Sequence, residues 1–173
     1  MRSSAGATII ANHAHGFRSD IAQAHGFTVK RDSAGKPYGW KPGYVLFHDS
    51  DPFAAPPIAS PDTQDGDYAY GSCGYSFIYF NAAGGLRGFV NTGYAVSLAV
   101  SEVHWVVEVS DSAGIGDVTR NFGAEPARFS YQFYTLNHAG YAEATVMPYS
   151  FVIENNGTVC YSNEPSDWTT ITD

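Results

Sequence analysis

Tyr94-Ala-Val-Ser-Leu-Ala-Val-Ser-Glu-Val-His-Trp-Val-Val-Glu-Val-Ser110 is a run of seventeen residues with neither glycine nor proline, and it carries the strongest period-two pattern in the 173-residue chain. In its first half Tyr94, Val96, Leu98 and Val100 alternate with Ala95, Ser97, Ala99 and Ser101, as in a half-buried strand. In its second half Val103, Trp105, Val107 and Val109 carry the apolar face while Glu102, His104, Glu108 and Ser110 point away. The parity therefore flips across Ser101 and Glu102. A straight strand keeps its parity, and at roughly 3.3 Å per residue this one would run nearly 60 Å. A tight turn or a bulge is expected near Ser101, which makes the run a two-sided antiparallel core element.

On its N-terminal side Tyr75, Phe77 and Tyr79 alternate with Ser76, Ile78 and Phe80, and Asn81-Ala-Ala-Gly-Gly85 turns the chain toward Leu86–Val90. On its C-terminal side residues 111–127 read as a long glycine-containing loop. Phe129, Tyr131 and Phe133 then alternate with Ser130, Gln132 and Tyr134, and Ala142, Ala144 and Val146 with Glu143 and Thr145. Asn156-Gly157 between Phe151–Glu154 and Thr158–Tyr161 predicts a type I′ hairpin that pairs Ile153 with Cys160 and Val152 with Tyr161.

Earlier in the chain, Thr8–Ala11 and Tyr44–Phe47 read as short strands. Ser19 is placed to cap a helix over Asp20–His25 that ends at Gly26. Phe27–Arg31 and Pro37–Trp40 flank Asp32–Lys36 as a hairpin with Gly35 in the left-handed region. Pro52, Pro56, Pro57 and Pro61 close off regular structure. The chain thus divides into an N-terminal hairpin and short-helix segment over 1–50, a Pro-rich linker or loop over 51–67, and an antiparallel β domain over 68–173. The fold class is all-β: an antiparallel β-sandwich or small barrel with a short, irregular N-terminal α+β extension.

The net charge is −8, and it is uneven. The first fifty residues hold six Lys and Arg against three acids; the remainder hold three against fourteen, with none after Arg128. Such an acidic body repels phosphate, so neither nucleic acid nor an anionic membrane is an expected partner. No window has the eighteen or so consecutive apolar residues of a membrane span, and residues 1–4 lead into no signal-like run. Cys73 and Cys160 are too far apart for short-spaced zinc or redox motifs, so a disulfide is expected, and with it a secreted or otherwise extracytoplasmic protein.

The strongest functional signal is aromatic. The chain has 12 Tyr, 11 Phe and 3 Trp with only 15% charged residues, more rings than one sandwich core requires. Tyr68, Tyr70, Tyr75 and Tyr79 alternate with smaller residues and are expected to form an exposed stacking surface for a carbohydrate or protein ligand. The expected protein is therefore a binding or structural module without a cofactor.

The alternative is a secreted hydrolase. His13, His15, His48, Asp49 and Asp51 offer nitrogen and oxygen ligands for a metal such as zinc. Glu102, His104 and Glu108 project from the polar side of the central run, where a cleft would let them act as acid and base. Cys73 on its glycine-flanked turn would be a nucleophile only if reduced.

Overall fold

The computed structural model describes residues 16–42, 66–71 and 73–173. Two antiparallel sheets face each other and neither closes into a barrel. The front sheet runs in the order β3 (Asp67–Gly71), β4 (Gly74–Ala82), β5 (Arg87–Val96), β8 (Arg128–Leu136). The back sheet runs β11 (Val159–Tyr161), β10 (Phe151–Glu154), β6 (Val100–Asp111), β9 (Gly140–Val146), β12 (Ser166–Ile171), with β7 (Gly114–Phe122) on the opposite edge of β6. Helix α1 (Ser19–Ala24) and a small hairpin, β1 (Thr28–Arg31) with β2 (Pro37–Trp40), form the described part of the N-terminal extension. No helix among the described residues is long and apolar enough to cross a membrane.

The Tyr94–Ser110 run crosses from one sheet to the other and contains both expected devices. Residues 97–99 turn the chain out of β5 in the front sheet and into β6 in the back sheet. Glu102 then pairs with Ile153 and Val100 with Glu154, so Ser101 is an extra residue, a β-bulge. The bulge resolves the parity flip: Val100 and Val103, three apart, are both buried in the core.

Between the sheets the Tyr94 and Trp105 rings pack with centroids 5.8 Å apart. Trp105 Nε1 donates to Thr92 Oγ1 at 3.1 Å, and that hydroxyl donates to the Phe77 carbonyl at 2.8 Å, so the buried indole is satisfied across the sandwich. The Cys73–Cys160 disulfide staples the start of β4 to β11 and closes a loop with a sequence separation of 87, a constraint on the unfolded chain of roughly 4 kcal/mol.

Two expectations about strands are corrected. Residues 111–127 are not one long loop: a two-residue turn at Ser112–Ala113 leads into β7, which pairs with β6 from Val103↔Phe122 to Asp111↔Gly114. As an edge strand exposed along most of its length, β7 has no buried face to impose an apolar alternation. The β10–β11 hairpin is one residue out of the expected register. Glu154 N–H donates to the Thr158 carbonyl at 2.9 Å and Gly157 sits at φ +92°, a three-residue loop in place of type I′. Cys160 therefore pairs with Val152 on the core face, while Ile153 pairs with Val159 on the outer face. The C-terminal residues form β12, which pairs with β9 along its whole length.

The N-terminal extension docks on the outer face of β10 and β11. Val159 N–H donates to the Gly16 carbonyl at 2.8 Å and Arg18 N–H to the Gly157 carbonyl at 2.5 Å. Ile21 of α1 packs onto Phe151, Ile153 and Val159. Gly26 ends the helix at φ +78° and Gly35 turns the hairpin at φ +79°, both as expected. Helix α1 begins at Ser19 with Arg18 in the N-cap position and no side-chain cap. Asp20 in its first turn accepts from Arg18 instead.

Candidate functional site

The outer face of the back sheet has two halves. Alternation on β9 sends Ala142, Ala144 and Val146 into the core and Tyr141, Glu143 and Thr145 outward. On β12, Asp167 and Ile171 turn inward, where Asp167 accepts from Phe80 N–H at 2.7 Å, while Ser166, Trp168 and Thr170 face out. The register places Glu143 opposite Trp168 and Tyr141 opposite Thr170.

Tyr141 and Trp168 are thereby diagonal neighbours, with centroids 5.8 Å apart and ring planes within 24°. They are 56% and 59% exposed. Glu143 accepts from the Tyr141 hydroxyl at 3.1 Å through one oxygen and from Ser166 Oγ at 2.9 Å through the other. That carboxylate ties β9 to β12 and restrains the tyrosine ring. Partial desolvation and the bond to Glu143 hold the Tyr141 phenol above its ordinary value, so it stays a donor. Farther across the face Glu108 pairs with Thr145 on one side and Asp117 on the other. Exposed Tyr149 lies near both acids, and desolvation together with their charge pushes its phenol up. This half therefore presents near-parallel aromatic rings beside three carboxylates.

The aromatic residues singled out from sequence lie on the other sheet. Tyr75, Phe77 and Tyr79 share the outer face of β4, as their spacing requires, and Tyr68 of β3 packs against all three at 5.6 to 5.8 Å. Tyr79 is 7% exposed and is not part of an open surface. Its hydroxyl bonds that of Tyr68, and the Gly66 backbone lies so close that a Cβ there would fall 1.9 Å from the Tyr79 ring. Burial pushes the Tyr79 phenol far up. Tyr68 and Tyr75 are half-buried, and Tyr70 occupies the β3 position opposite Tyr75.

Glu102, His104 and Glu108 share the outer face of β6, but do not converge. Arg18 lies 3.6 Å from Glu102, and His104 Nδ1 bonds Asn121 Oδ1 at 2.7 Å while its ring packs on Phe151 at 5.4 Å. Six residues along one strand separate Glu102 from Glu108 by roughly 20 Å, beyond the reach of paired glycosidase carboxylates. Cys73 is disulfide-bonded and is no nucleophile. His13, His15, His48, Asp49 and Asp51 lie outside the described residues, and among those described no group of three or more His, Cys, Asp or Glu is arranged to hold a metal ion.

Sequence reasoning missed Trp168, Tyr141 and Tyr149. Tyr141-x-Glu143-x-Thr145 is the polar parity of a strand already recognised, so that signal was present. Trp168 lay in a segment assigned to no element, and only the register with β9 brings it beside Tyr141. No family model, no curated protein and no solved structure matches this chain.

Proposed function

We propose that this is an extracytoplasmic binding module that holds a carbohydrate against the open half of its back sheet. The observation that carries this reading is the Tyr141–Trp168 pair. Two large rings, each more than half exposed and nearly parallel, stand on adjacent strands of a rigid sheet, with Glu143 fixing one of them. Sugar rings present flat C–H faces to aromatic planes and hydroxyls to carboxylates, and rigid rings lose little conformational entropy on binding. The disulfide and the low content of charged residues fit a protein that works outside the cytoplasm.

Retention on immobilised polysaccharides tests the reading. The native protein is expected to be retained, and Tyr141→Ala and Trp168→Ala each to lose retention with an unchanged fold. Retention unaffected by both substitutions, or no retention on any polysaccharide, contradicts it; binding to a protein partner through the same rings would replace the carbohydrate with a protein ligand.

A further inference from the structure

The charge around the rings narrows the ligand further. From Trp168 the outer face continues across β9 to Glu108 of β6 and Asp117 of β7, three strand spacings or roughly 14 Å, with Glu143, Glu108 and Asp117 along the way and His104 four residues farther along β6, bonded to Asn121. Glu143 sits directly opposite Trp168; Glu108 and Asp117 sit directly opposite each other. Strands β6, β9 and β12 contain neither Lys nor Arg. Arg120 of β7 pairs with Trp105, on the parity that faces the core. Among the described residues none of these three carboxylates forms an ion pair, whereas Glu102 on the covered half has Arg18.

Like charges directly opposite on neighbouring strands repel, so Glu108 and Asp117 sit in an arrangement that the fold by itself leaves uncompensated. A glycan carrying carboxylate or sulfate groups would add to that repulsion. A glycan carrying protonated amines would relieve it, and each ammonium would form charge-assisted hydrogen bonds with the carboxylates.

Resting on the carbohydrate reading above, we propose that the open face selects an amine-bearing glycan. Its sugar faces lie on Tyr141 and Trp168, and its ammonium groups meet Glu143 and the Glu108–Asp117 pair. The rings supply affinity common to sugars; the carboxylates discriminate by charge.

The test compares a glucosamine oligomer, its N-acetylated counterpart of equal length and a lysine oligomer, by calorimetry at a pH where the glucosamine amines are protonated. The glucosamine oligomer is expected to bind about tenfold more tightly than the acetylated one. That advantage should disappear in the double variant Glu108→Gln/Glu143→Gln, and shrink as salt is raised, while the variant keeps the native fold by circular dichroism and still binds the acetylated oligomer. Equal affinity for the two glycans overturns the charge selection and leaves the aromatic reading standing. Binding of the lysine oligomer as tight as that of the glucosamine oligomer, and indifferent to Trp168→Ala, overturns the glycan as the selected ligand. Binding of neither glycan overturns the aromatic reading and this inference with it.

Discussion

The two halves of the outer face of the back sheet flank successive stretches of the same strand, β6, and differ in what covers them. On β10 and β11, Phe151, Ile153 and Val159 are covered by the N-terminal extension, which adds its own backbone bonds at Gly16 and Arg18. On β9 and β12, Tyr141 and Trp168 stay open to water and are rimmed by acids. Aliphatic side chains gain only from removal from water, whereas Tyr and Trp tolerate both wet and covered states. The residue types thus match a half that is covered and a half that stays open to water.

The largest expected effect lies on the covered half. Ile153 is 0% exposed, so Ile153→Ala should cost about 3 kcal/mol or more in denaturant unfolding, while Trp168→Ala on the open half should change stability by less than about 1 kcal/mol. Equal losses at the two sites would erase the distinction between the halves.

A second effect comes from Glu154 at the end of β10, 3% exposed. Burial pushes its carboxyl from the ordinary 4.5 up to about 7, against the opposing bonds from Leu98 N–H and from Ser97 and Asn156. The folded state therefore holds the proton more tightly than the unfolded state. The stabilisation from the protonated acid is fully present below pH 4.5 and is lost as pH rises through about 7. Glu154→Gln should flatten that dependence and raise stability at neutral pH by on the order of 3 kcal/mol, read from melting temperature against pH. An unaltered pH profile would show that Glu154 ionises freely.

A smaller effect is expected at Gly157. Its φ is +92°, and a Cβ there would fall 2.3 Å from the Arg18 carbonyl oxygen. Gly157→Ala should cost roughly 1–3 kcal/mol and speed hydrogen exchange at the Arg18 and Val159 amides, with β9 and β12 amides unchanged. Acceleration on β12 as well would mean that the two halves open together.

The legible part of this fold was its alternation. The Tyr94–Ser110 run announced its own interruption, because valines at 100 and 103 cannot share a face of a regular strand. Register was less legible: Asn156-Gly157 pointed to a two-residue turn, yet the pairing of Glu154 with Thr158 shifted the hairpin by one residue and exchanged the partners of Cys160 and Ile153. Edge strand β7 was hidden because pairing with β6, not side-chain burial, defines it. The site was half legible. Aromatic excess indicated a ring surface, but Tyr68 packs on Tyr75 and Tyr79, and Tyr79 lies against Gly66. Exposure depends on what covers a strand's outer face, and one-dimensional spacing carries no record of that.

The central claim is that ligand meets the open half of the back sheet. Amide chemical-shift mapping on ¹⁵N-labelled protein during titration with a glucosamine oligomer tests it most directly. Shifts concentrated on Tyr141–Thr145 and Ser166–Thr170, with Phe151–Glu154 and Val159–Tyr161 unmoved, are the predicted result; shifts confined to Tyr68–Tyr79, or none at saturating oligomer, would contradict it.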